Sequence, residues 1–293
     1  MSPVEEPRPV EEPRPPVVVG VDGSDSARHA AQWAADVASA WGAAVHLVHA
    51  VPDGVGDGGS EPSWLHELHD AVERAGVEQV ESLVVAASAT DALTARSRGA
   101  ALVVVGSYGE GARSGMLAGS AALALLEASQ CPVAVVRGAA PGLAPPRRGP
   151  VVVGTDAATD DVLHLGDALH LGAALAAGLG TRLSVLHAWS EVVEDAQGVH
   201  RTTSSGTELA ALAAARLDTC LQPLTETHPG LPIERHVVDD TALRALLDHA
   251  SGARLVVVGH RRDPGSGRRL GSTSRGLVAF APCPVVVTAH GRA

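Results

Sequence analysis

The pentapeptide LVVVG occurs twice in this chain, at Leu102–Gly106 and at Leu255–Gly259. Each copy is followed by a Gly-Ser pair and then by Cys-Pro-Val, at Cys131–Val133 in the first half and at Cys283–Val285 in the second. A repeat at a fixed spacing indicates two copies of one structural unit. A run of valines without polar alternation is typical of a strand that is covered on both faces in a parallel sheet.

Further apolar runs in each copy alternate with segments of helical pattern. This alternation predicts an α/β fold in which helices cover both faces of a parallel sheet. We therefore expect two doubly wound, open, five-stranded parallel sheets in tandem. The predicted strands are 17–21, 45–51, 80–85, 102–105 and 133–136 in the first copy, and 151–155, 183–188, 233–238, 255–259 and 285–288 in the second.

The segments outside the two copies have a different composition. Residues 1–16 read Pro-Val-Glu-Glu-Pro-Arg twice and predict a disordered arm, because proline cannot donate to a ladder and the charges resist collapse. Residues 138–150 are rich in Gly, Ala and Pro and predict a linker. The predicted domains are therefore 17–137 and 151–290.

The charge balance excludes several classes of function. The net charge is −11 and only 2% of residues are aromatic, so we expect no binding to nucleic acid and none to an anionic membrane. All 22 basic residues are arginine, which removes the phosphate-binding lysine of P-loop enzymes and any Schiff-base mechanism. No signal peptide or membrane-spanning run is evident, and this pattern predicts a cytoplasmic location.

Glycines follow the first LVVVG strand at a spacing that suits a phosphate. The pattern is Gly106-x2-Gly109-x9-Gly119, with Ser120 next and Ser107 at the start of the loop. Such a loop lies at the carboxyl edge of a parallel sheet, where ligands bind, and it ends at the electropositive start of a helix. Ser120 is predicted to be the N-cap, with a hydroxyl that bonds either its own helix or a phosphate oxygen. A purely structural turn would contain glycines too, so the spacing leaves both interpretations open.

Two charged side chains complete the predicted site. Arg113, within the loop, is the charged partner expected for the outer phosphates. Asp22, between Val21 and Gly23, ends the first strand, which neighbours the fourth strand in a doubly wound sheet. A carboxylate there would meet ribose hydroxyls or Mg²⁺ carried by a nucleotide, although a simple turn or cap role is the alternative.

These residues together resemble the universal stress protein family. Its nucleotide-binding members have a strand-ending Asp and a Gly-x2-Gly-x9-Gly-Ser/Thr loop, which Asp22 and the loop from Gly106 to Ser120 match without a gap. The resemblance implies sheets of strand order 3-2-1-4-5 and an ATP cofactor, with Mg²⁺ as an accompanying ion. It also implies that adenine lies near the end of the second strand, beside Ala50 and Val51. In the family, fifth strands pair across a pseudo-twofold axis, either within one chain or between the two chains of a homodimer.

The second copy departs from this pattern. Asp156 recurs at the position of Asp22, but Arg262 stands where the first loop has Gly109. The rest of that loop is bulky and holds four arginines in all. We therefore expect the first domain to hold ATP and the second to be structural or to bind a partner.

Two other functions stay open at this stage. The stretch Val21–Ser26 faintly resembles the first loop of ATP pyrophosphatases, which would make the protein a slow adenine-nucleotide hydrolase or ligase. A nucleotide-free scaffold is the other alternative. We predict no catalytic residue, because no pair of carboxylates and no nucleophile with a base stands out, and His66 and His69 are one residue too close for a zinc-protease helix.

Overall fold

A computed structural model describes residues 14–52, 61–109, 119–155, 162–189, 192–195, 198–201, 206–260 and 270–289. Within these ranges strands and helices alternate in both units, as the sequence predicts. In the first unit the elements are β1 (Val17–Gly20), α1 (Asp25–Trp41), β2 (Val45–Val51), α2 (Ser63–Arg74), β3 (Val80–Ala86), α3 (Ala89–Ser97), β4 (Leu102–Gly106), α4 (Ser120–Ala128) and β5 (Val133–Val136). In the second they are β6 (Val151–Thr155), α5 (Val162–Gly178), β7 (Leu183–Trp189), β8 (Val192–Asp195), β9 (Gly198–Arg201), α6 (Gly206–Thr227), β10 (Ile233–Asp239), α7 (Ala242–Ala250), β11 (Leu255–Val258), α8 (Ser272–Phe280) and β12 (Val285–Val287).

The strands form a single sheet of ten, in the order β10-β7-β6-β11-β12-β5-β4-β1-β2-β3. Each half has the expected order 3-2-1-4-5, with parallel neighbours throughout. The two halves join where β5 and β12 pair antiparallel, with Ala134 opposite Val286. The two expected five-stranded sheets are thus continuous, because each fifth strand pairs with the free edge of the other within one chain.

The core lies on both faces of this sheet and crosses the junction. One buried cluster contains Val17 and Val151, and the cluster on the opposite face contains Val18 and Val152. Successive side chains of a strand point to opposite faces, so an all-valine strand supplies both clusters at once. The two units therefore share their hydrophobic cores.

Local signals in the sequence explain how α1 begins and ends. Ser24 is its N-cap, and the hydroxyl of Ser24 accepts from the Ala27 N–H at 3.1 Å. Gly42 ends the helix in the left-handed conformation with φ of 63°, where L-residues with a Cβ are disfavoured. This defined start places the first turn of α1 beside the carboxyl ends of β1 and β4.

The second unit differs from the first in two elements. Helix α6 has 22 residues whereas its counterpart α2 has 12. The short hairpin of β8 and β9 was not predicted from the sequence. Among the helices described, none is both long and apolar enough to cross a membrane.

Polar contacts reinforce the junction between the units. Asp36 on α1 accepts two hydrogen bonds of 2.8 Å from Arg147 of the 138–150 segment, and Arg254 of the second unit lies 3.9 Å from it. Arg137, directly after β5, donates to the carbonyl oxygens of Val278 at 2.8 Å and of Ala279. The last carbonyls of a helix have no donor within the helix, so Arg137 caps α8 from the other unit.

Candidate functional site

Asp22 and Gly109 meet at the carboxyl edge of the first half-sheet. A Cβ added at Gly109 would lie 2.6 Å from the Oδ2 atom of Asp22, which is far inside normal contact distance. The strand-ending carboxylate and the described start of the glycine loop, more than 80 residues apart in sequence, therefore lie side by side. A side chain at position 109 would therefore displace the Asp22 carboxylate from its present place.

The Asp22 carboxylate is held in place by its own turn. Its Oδ1 atom accepts from the Ser24 N–H at 3.0 Å and from the Ser24 hydroxyl. The same hydroxyl accepts from Ala27 as the N-cap of α1, so the carboxylate is tied to the start of that helix. With Oδ1 bound in this way, the other oxygen is directed toward the loop.

Gly106 has a different reason for being glycine. A Cβ there would lie 2.4 Å from the hydroxyl oxygen and 2.9 Å from the main-chain carbonyl carbon of Ser26, in the first turn of α1. Ser26 is itself buried, and its hydroxyl accepts from the Tyr108 N–H at 3.4 Å. Gly106 thus allows α1 to pack directly on the end of β4.

We expect Gly106→Ala to lower the free energy of unfolding by about 1–3 kcal/mol, because the main chain of Ser26 cannot move aside cheaply. Gly99→Ala is the matched control, since a Cβ there meets nothing within 4 Å. Urea denaturation of both variants measures the difference. Equal stability of the two would contradict this account of Gly106.

The described ends of the loop are closed by main-chain bonds. Ser107 donates its N–H to Val136 at 3.1 Å and accepts from the Gly119 N–H at 2.7 Å. Gly119 is extended, with φ of −68° and ψ of 148°, and is the N-cap of α4. The expectation that Ser120 is the N-cap is therefore wrong: Ser120 is the first helical residue, because the bond to Ser107 holds Gly119 outside the helix.

Of the two residues predicted to lie beside adenine, Ala50 and Val51, only Ala50 directs its main chain toward β1. In a parallel strand, the main-chain N–H and C=O groups of alternate residues point to the same neighbouring strand. Val48 accepts from the Val21 N–H at 2.9 Å, so the main chain of Ala50, two residues on, faces the β1 side as well. Val51 faces β3 instead, where its carbonyl accepts from the Ala87 N–H at 3.1 Å.

Some of the predicted residues lie outside the described ranges. Arg113 is one of them, and so are Asp156 and Arg262 of the second copy. The roles predicted for these three residues stay predictions. Val21 and Gly23 flank Asp22 as expected, and Val21 is almost fully buried.

His49 lies at this edge, although the sequence pattern assigned it no role in the nucleotide site. Its Nδ1 atom lies 3.1 Å from the carbonyl oxygen of Val21, and its ring meets Trp64 edge to face at a centroid distance of 4.9 Å. His187 makes the same contact in the second unit, 3.2 Å from the carbonyl oxygen of Thr155. The recurrence of a histidine near the end of the second strand in both copies was the available signal.

The remaining polar groups do not indicate redox or metal chemistry. Burial raises the pKa of the Cys283 thiol to about 12, and burial raises the pKa of Cys131 too, so both thiols stay protonated at neutral pH. No group of three or more metal-ligating side chains occurs within the described parts of the chain. Mg²⁺ bound through a nucleotide needs no such group, because phosphates and water supply most of its ligands.

Comparisons with known proteins point to one family for both units. The model of the universal stress protein family matches residues 14–137 and 148–289. Universal stress protein Rv2623 of Mycobacterium tuberculosis is 32% identical over 291 residues, which cover 92% of this chain and 95% of that protein. Universal stress protein Rv2005c of the same organism is also 32% identical, over 92% of this chain and 96% of that protein. A universal stress protein structure from Archaeoglobus fulgidus superposes with a TM-score of 0.62 at 17% identity, over 94% of this chain and 98% of that one.

Proposed function

Since the chain belongs to the universal stress protein family, we propose that its first unit binds ATP and that the bound nucleotide regulates a stress response. The contact of Asp22 with Gly109 carries this proposal, because it joins a carboxylate and a glycine loop at the sheet edge where nucleotides bind. The second unit would be structural or would bind a partner.

The described residues offer one group each to the base, the ribose and the phosphates of an adenine nucleotide. The main chain of Ala50 would face the base, and Asp22 would accept from ribose hydroxyls or hold Mg²⁺. The N–H groups at the start of α4 have no acceptors within the helix, and together with the partial positive charge there they would receive the phosphates. Arg113 would add a charged donor.

Conformation, and not turnover, is the proposed output. ATP would act by binding the loop between Gly109 and Gly119 in one arrangement, which changes the surface offered to a partner. The two units would transmit this change as a fixed intramolecular pair, as the antiparallel pairing of β5 with β12 supports. A hydrolase would need a base positioned on the attacking water, and the enzyme alternative would depend on Asp22 for that role.

Mass spectrometry of small molecules released from the purified protein tests the proposal. We expect ATP in near-stoichiometric amount, or binding of added ATP by protein stripped of its ligand. Protein that releases no nucleotide and rejects added ATP would overturn the proposal in favour of a scaffold. Steady release of phosphate that Asp22→Asn abolishes would instead support the enzyme alternative.

A further inference from the structure

The ladder between the first two strands ends at different points in the two units. In the first unit the last pair of β1 with β2 is Gly20 with Val48. The equivalent pair of the second unit, Gly154 with Leu186, is followed by one more, Thr155 with His187. The strands of the first unit therefore separate one residue earlier, at the site proposed for ATP.

Because the strands separate earlier, the main-chain N–H of Ala50 lacks its ladder hydrogen bond. One more step of a regular ladder would join the Ala50 N–H to the carbonyl of Val21. The structure instead directs the Nδ1 atom of His49 to that carbonyl. A carbonyl oxygen can only accept, so Nδ1 carries the hydrogen and donates it.

From this geometry we infer that His49 is a positioning residue for the nucleotide site, an inference that rests on the proposed function. Its ring donates to the carbonyl of Val21, which would otherwise accept the ladder hydrogen bond from the Ala50 N–H. The end of β1 therefore keeps its position, and the Ala50 N–H remains available to a purine acceptor. Trp64 packs against the ring and limits its rotation. Val21 precedes Asp22, so the same bond sets the distance between the groups that would hold the base and the ribose.

His187 provides a matched control inside the same chain. It makes the same bond to Thr155, but there the ladder runs on beside it. Removing either ring deletes one hydrogen bond to a strand end, so both variants should lose a similar, small amount of stability. Only the loss of His49 should change nucleotide binding.

The test compares His49→Ala, His187→Ala and His49→Asn with the wild-type chain by calorimetric titration with ATP. We expect His49→Ala to weaken binding roughly three- to tenfold and His187→Ala to leave it unchanged. His49→Asn should recover most of the loss, because its amide nitrogen lies as many bonds from Cα as Nδ1 does. Equal weakening by the two alanine variants, or none by His49→Ala, would overturn the inference.

Amide hydrogen exchange tests the inference without ligand. In protein stripped of nucleotide, we expect the Ala50 N–H to exchange much faster than the Ala188 N–H, its counterpart in the second unit. Equal protection of the two amides would show that the ladders do not differ and would overturn the inference. A wild-type chain that binds no ATP, yet shows this contrast, would refute the proposed function alone.

Discussion

Gly109→Ala is expected to reduce ATP affinity by about 100-fold or more, equivalent to ~2.7 kcal/mol, while it leaves the fold intact. The added methyl group would lie 2.6 Å from the Asp22 carboxylate, which must then turn away from the loop. That carboxylate is bonded to Ser24, so turning it also breaks the bonds that orient it. Calorimetric titration with ATP measures the loss, and Gly109→Arg, which copies the second unit, should abolish binding.

Gly99→Ala again serves as the control, because its Cβ meets no neighbour. Thermal unfolding should give nearly the same midpoint for Gly109→Ala, Gly99→Ala and the wild-type chain, since Asp22 lies at the surface of the site and outside the core clusters. Undiminished ATP binding by Gly109→Ala would show that the nucleotide does not use this loop.

Ala134→Asp should have the largest effect on stability. Ala134 is fully buried at the centre of the junction, opposite its own equivalent Val286. A carboxylate there would lack a partner in the apolar junction, and such a buried charge costs several kcal/mol. Because whole domains are stable by only about 5–15 kcal/mol, we expect a large fall in the midpoint of chemical denaturation.

Ala95→Asp places the same charge on the exposed face of α3 and should change the midpoint little. If the junction joins the units as the shared cores indicate, Ala134→Asp should also speed tryptic cleavage after the exposed Arg148, because the 138–150 segment would no longer be held by its bond from Arg147 to Asp36. A variant with wild-type stability and wild-type resistance to trypsin would show that the units do not depend on the β5–β12 pairing.

Much of the fold could be predicted from the sequence because its signals are local and repeated. The valine runs predict strands with two covered faces, and the duplication predicts that the second unit repeats the elements of the first. The hairpin of β8 and β9 lacked such a signal, since neither of its short strands has the apolar pattern of a buried strand.

The site was predictable in its members but not in their roles. Glycine spacing alone suggests that each loop glycine lets a phosphate approach. In the structure Gly106 makes room for the main chain of Ser26, and Gly109 makes room for Asp22. The N-cap of α4 is Gly119 and not the predicted Ser120, because the Gly119 N–H bonds the carbonyl of Ser107. Ser107 lies twelve positions before Gly119, and no local pattern reveals that the two are close.

The sequence by itself determined the two units, their alternating strands and helices and the residues of the glycine loop, because periodicity and conformational preference act over short distances. Tertiary structure decided what those preferences do not encode: the order of the ten strands and the pairing of β5 with β12 inside one chain, the meeting of Asp22 with Gly109, and the bond from the imidazole of His49 to the end of β1. Each of these depends on the distance between segments far apart in the chain, which only the packed core sets.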